Sequence, residues 1–343
     1  MAYTTIDNPE LYFQCKTYGF TTGAQSITFD NTDTSMQPNM AWIKSRSNSG
    51  YNHVIHDSVR GVTKVIRPNL NNDEDTYSDS LTSFDSNGFG LGGDGTNGEV
   101  NDHNQSQNYI AWCWKEASEI FDIVSYTGNG SNRTISHSLS AKPAMILVKQ
   151  RSADRDWWVY NKNLHGTDGA TGVLYLSDNL AAGTSATTSW NSTAPTTSVF
   201  SLGTTVGVNA DSGTYIAYLF AEKQGFSKFG TYEGNNTADG PFIYTGFRPA
   251  YIMMKSTSTG GSATYSWSIF DNKRSSYNIQ RSQLEANTGD AEDTGDTADI
   301  DILSNGFKPR YSPNDTNGNN TYIYMAFAEQ PFVNSKGVPA NAR

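Results

Sequence analysis

The sequence predicts an all-β protein made of three tandem antiparallel β-sandwich or jelly-roll-like domains of about 105 residues each, in a pseudo-threefold repeat. Composition is the first observation behind this prediction. Thr, Tyr, Phe and Gly are abundant and charged residues make up only 17%, which favours strands and turns. The second is periodicity, because no window has a sustained 3.6-residue apolar pattern. The third is a set of motifs that recurs three times along the 343 residues.

Two of the recurring motifs stand near the start of each repeat. The opening motifs read "TYGFTTG", "SYTGNG" and "TYEGNN", and they begin at Thr17, Ser125 and Thr231. A proline with a lysine six residues later follows, in the pairs Pro38–Lys44, Pro143–Lys149 and Pro249–Lys255. The segment "AMILVKQR" after Pro143 predicts a strand with its proline at the entrance, where no ladder hydrogen bond is lost.

The other two motifs lie near the end of each repeat. A phenylalanine in a turn-like context recurs at Phe89, Phe200 and Phe307. The last motif reads "NYIAWCWKE", "TYIAYLFAE" and "TYIYMAFAE", and it begins at Asn108, Thr214 and Thr321. Four motifs in one order, three times over, predict domains spanning residues 1–118, 119–224 and 225–343.

The aromatic stretch "YIAWCWK" of the last motif predicts a central strand. Both of its alternating faces are apolar, as expected when a strand is covered on both sides. Trp112 and Trp114 align with other bulky residues, which are Tyr218 and Phe220 in the second copy and Met325 and Phe327 in the third. Positions that keep a bulky side chain while the residue type changes are typical of a packed interior. We therefore interpret both tryptophans and Cys113 as residues of the hydrophobic core.

Charge and targeting signals exclude several classes of function. The net charge is -10 and the pI is near 4.9, so there is no basic stripe to neutralise nucleic-acid phosphates. No stretch approaches the ~18 apolar residues of a membrane span, and the N-terminus lacks a secretory-signal pattern. Cys15 and Cys113 are interpreted as small buried hydrophobes, which would pair only if the fold brought them together.

Long motifs at both ends of the chain resemble one family. The segments "AYTTIDNPELYFQCKTYG", "QPNMAWIKSR", "GPFIYTGFRPAYIMMK" and "YIYMAFAEQPFVNSKGVPANAR" are similar to uncharacterised virion-associated proteins from tailed phages of marine bacteria. The resemblance covers nearly the whole chain. It implies a structural component of tail, fibre or virion type, assembled in the host cytoplasm and located in the virion. It supplies no catalytic residue set that could be transferred to this chain.

Two Asp–x–x–Arg motifs are the first candidate site. They are Asp57–Arg60 in the first copy and Asp271–Arg274 in the third, and Asn161 and Leu164 occupy the same positions in the second. Such a pair could form a general-acid constellation, although a turn capped by the aspartate with a surface ion pair is commoner. Because the second copy lacks both charges, we expect the pair to stabilise local structure or to form one repeated interface contact. These four residues are therefore candidates for an interface or for contact with a carbohydrate.

The acidic stretch between Leu284 and Asp301 is the candidate metal site. Carboxylate oxygens are ligands that Ca²⁺ prefers, so Asp290, Asp293 and Asp296 are named as calcium candidates. Their spacing does not fit the EF-hand loop, and a solvated loop is the alternative. No other cofactor is expected.

Three tryptophans are candidates for a carbohydrate site or an interface. Trp157 and Trp158 are adjacent, so one of them should face outward if the pair lies in a strand. Trp267 and His53 align with Trp157. An outward tryptophan could stack on a sugar ring, but an interface or a core position is favoured.

These patterns predict a non-enzymatic structural protein of a tailed-phage virion, of tail or fibre type, with host-surface carbohydrate binding as an added role. The alternative is a capsid decoration protein on the outer head surface. A polysaccharide-degrading enzyme is disfavoured, because the similar repeats hold no unique acidic motif for the carboxylate pair that glycoside hydrolysis needs. Expected partners are other virion proteins, further copies of the chain in a symmetric assembly and a host glycan, without nucleic acid or membrane insertion.

Overall fold

A computed structural model describes residues 4–30, 34–93, 98–102, 107–184, 187–258, 265–295, 298–311 and 315–341. These ranges fold almost entirely into antiparallel β-structure, which confirms the predicted all-β, β-sandwich-like class. The helical segments in these ranges are single turns, because the sequence offers no longer amphipathic pattern. They are the 3₁₀ turns Pro9–Leu11 and Thr167–Gly169 and the α-helices α1 (Thr187–Trp190) and α2 (Val206–Asn209).

The first part of the chain forms sheet I and two smaller sheets. Its strands are β1 (Phe13–Gly19), β2 (Gln25–Thr28), β3 (Met40–Ser45), β4 (Val54–Asp57), β5 (Lys64–Val65), β6 (Asp75–Thr76), β7 (Leu81–Asp85), β8 (Gly88–Leu91) and β9 (Asn108–Trp114). Sheet I has the order β1-β9-β3-β4. Strands β2-β8-β7 form a small cover sheet over it, and β5 pairs with β6.

The second part of the chain forms sheet II with a smaller cover sheet. Its strands are β10 (Phe121–Thr127), β11 (Arg133–Ser136), β12 (Pro143–Gln150), β13 (Trp158–Asn161), β14 (Leu174–Tyr175), β15 (Val199–Leu202) and β16 (Thr214–Ala221). Sheet II has the order β10-β16-β12-β13-β14, and β11 pairs with β15 to form the cover sheet.

The third part of the chain forms sheet III and its cover sheet. Its strands are β17 (Ser227–Glu233), β18 (Ile243–Tyr244), β19 (Phe247–Ser256), β20 (Ser268–Asp271), β21 (Leu284–Glu285), β22 (Ile300–Leu303), β23 (Gly306–Pro309) and β24 (Thr321–Pro331). Sheet III has the order β17-β24-β19-β20-β21, and the cover sheet is β18-β23-β22.

The three main sheets share one arrangement, in which the last long strand lies between the first and the proline-led strand. This strand is β9 in sheet I, β16 in sheet II and β24 in sheet III. Residues 109–114 of β9 are all buried, so the prediction of a central strand covered on both faces is confirmed. The predicted limits at 118/119 and 224/225 lie in the short connections from β9 to β10 and from β16 to β17.

Each central strand sends its two faces to two different cores. One face packs against the cover sheet of the same part, as Tyr109, Ala111 and Cys113 do in the first. The other face enters a single central core that all three main sheets line. There the aligned residues Trp114, Phe220 and Phe327 contact one another, with ring centroids 5.6 to 6.0 Å apart. These spacings suit aromatic pairs, so one aromatic cluster joins the three sheets.

The two cysteines lie in different cores, on opposite faces of sheet I. Cys15 lies in the central core and Cys113 in the first outer core, and both are free thiols. Burial raises the pKa of both thiols well above the usual value, so both are neutral packing groups. Among the described residues no helix is long and apolar enough to cross a membrane.

Candidate functional site at the seams between sheets

The main sheets meet at three seams, which we name I–II, II–III and III–I after the sheets they join. At each seam, the aromatic residue at one aligned position places a ring nitrogen within hydrogen-bond distance of a backbone carbonyl. That carbonyl belongs to the part of the chain that forms the preceding sheet. The contacts are Trp157 Nε1 to Arg67 O (2.8 Å), Trp267 Nε1 to Tyr175 O (2.9 Å) and His53 Nε2 to Glu285 O (3.0 Å). The contacts therefore run round a closed ring of three sheets.

Burial decides which tryptophans could meet a ligand. Trp157 and Trp267 are 0% and 1% exposed, so neither offers an open ring face to a sugar. Trp158 is half-buried on the other side of its strand, where its indole packs edge-on against Tyr175 at 4.9 Å. The aligned pair therefore serves interfaces inside the chain, and Trp158 is the one candidate tryptophan with a partly open ring.

The Asp57–Arg60 pair is a buried turn at the I–II seam. Asp57 Oδ1 accepts hydrogen bonds from the backbone N–H groups of Val59 and Arg60, which is the capped turn that the sequence predicts. Asp57 Oδ2 accepts from Arg60 Nε and, across the seam, from the Tyr218 hydroxyl at 2.6 Å. Both charged side chains are 0% exposed, so the expectation of a surface ion pair is wrong. The strand end that carries Asp57 is covered by sheet II.

The Asp271–Arg274 pair repeats this geometry at the III–I seam. Arg274 Nε donates to Asp271 Oδ2 at 2.6 Å, and Trp112 Nε1 donates to the same oxygen at 2.9 Å across the seam. The guanidinium of Arg274 also lies over the Trp112 ring, 5.7 Å from its centroid. Trp112 and Tyr218 are aligned, so two different aromatic donors fill one role.

Electrostatics keep both aspartates ionised. Burial by itself would raise the pKa of the Asp57 and Asp271 carboxyls, but the adjacent guanidinium and the hydrogen bonds hold both below the usual value. A carboxylate that is ionised, buried and fully paired is a structural anchor and is not placed to touch a substrate.

Each of these two seams extends the pair into a longer charge network. At the I–II seam, Arg60 also contacts Glu74 at 3.2 Å, and Glu74 accepts two bonds of 2.9 Å from Arg151, which directly follows β12 of sheet II. The III–I seam has the same network in Arg274, Glu292 and Arg46, with Arg46–Glu292 bonds of 2.8 and 2.9 Å. These glutamates and the second arginines are site residues that the sequence reasoning missed. Both second arginines stand two positions after the motif lysines, and that alignment could have found them.

The II–III seam keeps the backbone contact, but the described residues form no such charge network there. Ala182 N donates to Thr257 O at 3.3 Å, just as Glu74 N donates to Arg151 O. The four positions that are Asp, Arg, Glu and Arg at the other seams are here Asn161, Leu164, Ala182 and Thr257. All four ionisable side chains are replaced by smaller or neutral ones.

A cavity of about 510 Å³ lies where that network is missing. Leu164, Ala182 and Thr257, three of the four substituted positions, line it. The other described lining residues are Asn163, His165, Thr184, Ser258 and Thr321. Among the described lining residues there is no Asp, Glu, Lys or Arg, so the wall is made of hydroxyl, amide, imidazole and apolar groups.

The motif lysines Lys44, Lys149 and Lys255 are buried beside the seams. Each Nζ donates to the carbonyl of the following residue, at 2.7, 2.8 and 3.1 Å respectively. Lys149 and Lys255 also donate across their seams, to Asn71 O at 3.2 Å and to Asn179 O at 3.1 Å. Burial lowers the pKa of all three ammonium groups to about 8. Lys149 and Lys255 therefore tie neighbouring parts of the chain together, whereas the bonds of Lys44 to Ser45 O and Asn48 O lie within the first part.

The calcium candidates are not gathered into a metal site in the part of the chain that the structure covers. Asp290 and Asp293 are exposed, and Asp296 lies outside the described residues. No group of three or more acidic, His or Cys side chains suited to a metal is found among the described residues.

Comparison with protein families matches nearly the whole chain. A profile described as a domain of unknown function, DUF7483, matches residues 8–331, so the chain belongs to this family. A comparison with curated proteins gives no match.

Proposed function

We propose that this member of the DUF7483 family is a non-enzymatic structural protein of a tailed-phage virion, of tail or fibre type, with a host-surface carbohydrate-binding role. Its partners are other virion proteins and further copies of itself, and its place is the assembled particle. The observation that carries the proposal is the use of buried charge: the ionised groups at the I–II and III–I seams join one sheet to the next.

A closed ring of sheets suits a particle component. The aromatic cluster of Trp114, Phe220 and Phe327 ties three sandwiches into one body within a single chain. Such a body resists local opening, because each sheet is held by two others through buried contacts. The resemblance of the terminal motifs to virion-associated proteins supports the same setting.

Capsid decoration is the second candidate, and one observation favours it. The ring of seam contacts arranges three similar sheets round a centre within one chain. A chain of that shape matches positions of local threefold symmetry on a capsid lattice, where one copy could contact three neighbouring subunits.

Immunogold electron microscopy of phage particles tests the proposal and separates the two candidates. Antibody raised against the purified chain is applied to particles of a phage whose genome encodes it. Tail or fibre type predicts gold at one end of the particle, whereas decoration predicts gold spread over the head.

Antibody preabsorbed with the purified chain is the control for specific labelling. Peptide mass spectrometry of gradient-purified particles gives an independent measurement. Absence of the chain from purified particles, with abundant chain in the infected-cell lysate, would overturn the virion proposal in both forms.

A further inference from the structure

The geometry points to the cavity at the II–III seam as the binding site for a neutral saccharide of one or two rings. This inference names the site and the ligand class of the carbohydrate-binding role. It rests on the proposed function for the source of the ligand, a glycan at the host surface. Its physical argument comes from the differences between this seam and the other two.

The cavity lies at the one seam where the charged side chains are substituted. At the other two seams, these charged side chains occupy the corresponding positions. Arg151 and Glu74 pack against each other at the I–II seam, where each is largely buried. Thr257 and Ala182 occupy the same positions at the II–III seam, and the backbone bond between them is kept. The sheets therefore approach as at the other seams, and the volume that charged side chains fill elsewhere is open here.

The size of the cavity suits a small ligand. Ligand pockets in proteins span roughly 300–1,000 Å³, and about 510 Å³ falls inside that range. A monosaccharide or a disaccharide fits this volume, whereas an extended polymer would have to enter by one end.

The wall has the chemistry that a polyhydroxylated ligand needs. Thr257 Oγ1 donates to Thr321 O at 3.1 Å and keeps its acceptor lone pairs. Ser258 Oγ accepts from Thr321 N at 3.1 Å and keeps its hydrogen to donate. Leu164 and Ala182 add apolar surface for the C–H faces of a sugar ring.

The charge around the cavity disfavours anionic ligands. No lysine or arginine is among the described lining residues. The Thr321 hydroxyl donates its one hydrogen to the Glu233 carboxylate, whose two oxygens lie 2.8 and 3.0 Å from Thr321 Oγ1, so a negative charge lies beside that wall. A uronic acid or a phosphorylated sugar would approach this carboxylate without a compensating cation from the described lining, whereas a neutral sugar needs none.

Ligand-observed NMR and calorimetry on the full chain test the inference. The probes are methyl glycosides of glucose, galactose, mannose and N-acetylglucosamine, the β-linked disaccharides of glucose and of N-acetylglucosamine, and glucuronic acid. We expect saturable binding of at least one neutral probe and no binding of glucuronic acid. In a separate protein-observed NMR titration of the isotope-labelled chain, the amide shifts should map to the segment around Asn163 and His165.

The variant Ala182→Glu/Thr257→Arg restores the pair found at the other two seams. It should fill the cavity and weaken the neutral probe's affinity by about tenfold or more, with no loss of thermal stability. Ala182→Met, which fills the cavity without charge, covers the case in which the double variant does not fold. Trp158→Ala is the matched control, and it should bind as the parent does.

The outcomes separate this inference from the proposed function. No binding of any neutral probe overturns the saccharide site, whatever the electron microscopy finds. If binding survives in both variants that fill the cavity, or is lost in Trp158→Ala alone, the saccharide binds elsewhere on the chain. Either result also overturns the inference. Binding at the cavity combined with absence from purified particles would keep the site and reject the virion proposal.

Discussion

At the residue scale, the charged turn that recurs in the first and third parts of the chain derives its role from burial. Asp57 and Asp271 accept hydrogen bonds from their own turn and from an aromatic donor of another sheet. The second part replaces the pair with Asn161 and Leu164, and the adjoining seam then lacks ionised side chains at these positions. The same chain therefore packs two of its seams with a charged Asp–Arg pair and the third with the neutral residues Asn and Leu.

Asp57→Asn should lower the free energy of unfolding by about 3–5 kcal/mol, because the buried Arg60 would lose the carboxylate that binds its Nε and keep Glu74 as its remaining anionic partner. The double variant Asp57→Asn/Arg60→Leu copies the natural Asn161 and Leu164 pair and should recover much of that loss. Urea unfolding measured by tryptophan fluorescence checks both values. Equal destabilisation in the single and double variants would contradict the argument.

The same pair gives a pH dependence with a defined sign. The folded-state pKa of Asp57 is below its usual value, so the stability it supplies is present above about 3.9, the unfolded value, and is lost as pH falls through the lower folded value. The double variant, which has no carboxylate at position 57, should lose less stability than the parent in this acid range. Urea unfolding repeated across the acid range measures the difference.

At the element scale, the cover-sheet hairpins depend on glycine at one point. Gly88 begins β8 with a φ of +137°, and a Cβ there would lie 1.9 Å from the carbonyl oxygen of Ile27 in β2. Gly306 begins β23 in the same place, where a Cβ would lie 2.0 Å from Ile243 O. The second part has Val199 at this position, and its cover sheet has only two strands among the described residues, β11 and β15.

Gly88→Ala should destabilise the protein by about 1–3 kcal/mol, because the added methyl group meets backbone and the φ value is unfavourable for a side chain. Thermal unfolding followed by circular dichroism measures the effect. Gly23→Ala is the matched control, since a Cβ at that position would have no described atom within 4 Å and the φ of Gly23 is not positive. Similar melting temperatures for the two variants would refute the steric explanation.

At the scale of the whole molecule, the central core makes the three parts depend on one another. Each main sheet contributes one face of its central strand to a core that no single part could enclose. Removing the first and third parts would expose Tyr218, Phe220 and Met145 of the second to water. At roughly 1.5–3 kcal/mol for each large apolar side chain, this exposure is costly for a span of about 105 residues.

The intact chain should therefore unfold in one cooperative transition, with equal calorimetric and van't Hoff enthalpies. The isolated span 119–224 should fail to fold or should associate. Scanning calorimetry of the intact chain and size-exclusion chromatography of the span measure these outcomes. Three separate transitions, or a monomeric folded span with dispersed NMR signals, would show that the parts are independent domains.

The sequence by itself determined the all-β class, the recurring motifs and the central strand that contains Trp112 and Trp114. It could do so because strand propensity, turn residues and the alternation of apolar and polar side chains act over a few residues. Alignment of the three copies also shows which positions require only a bulky side chain and which require a particular functional group. It also predicted the capped turn at Asp57, which needs only residues 57–60.

The tertiary structure alone decided what those features do. Whether Trp157 faces a sugar or a neighbouring carbonyl depends on Arg67, which is 90 residues away in sequence. The Asp57 pair is buried because sheet II covers it, and the cavity at the II–III seam is lined by Ala182 and Thr257, at the positions that hold Glu and Arg at the other two seams. Contacts between distant segments set burial, and burial decides whether a charged or aromatic side chain can meet a ligand or only its neighbours.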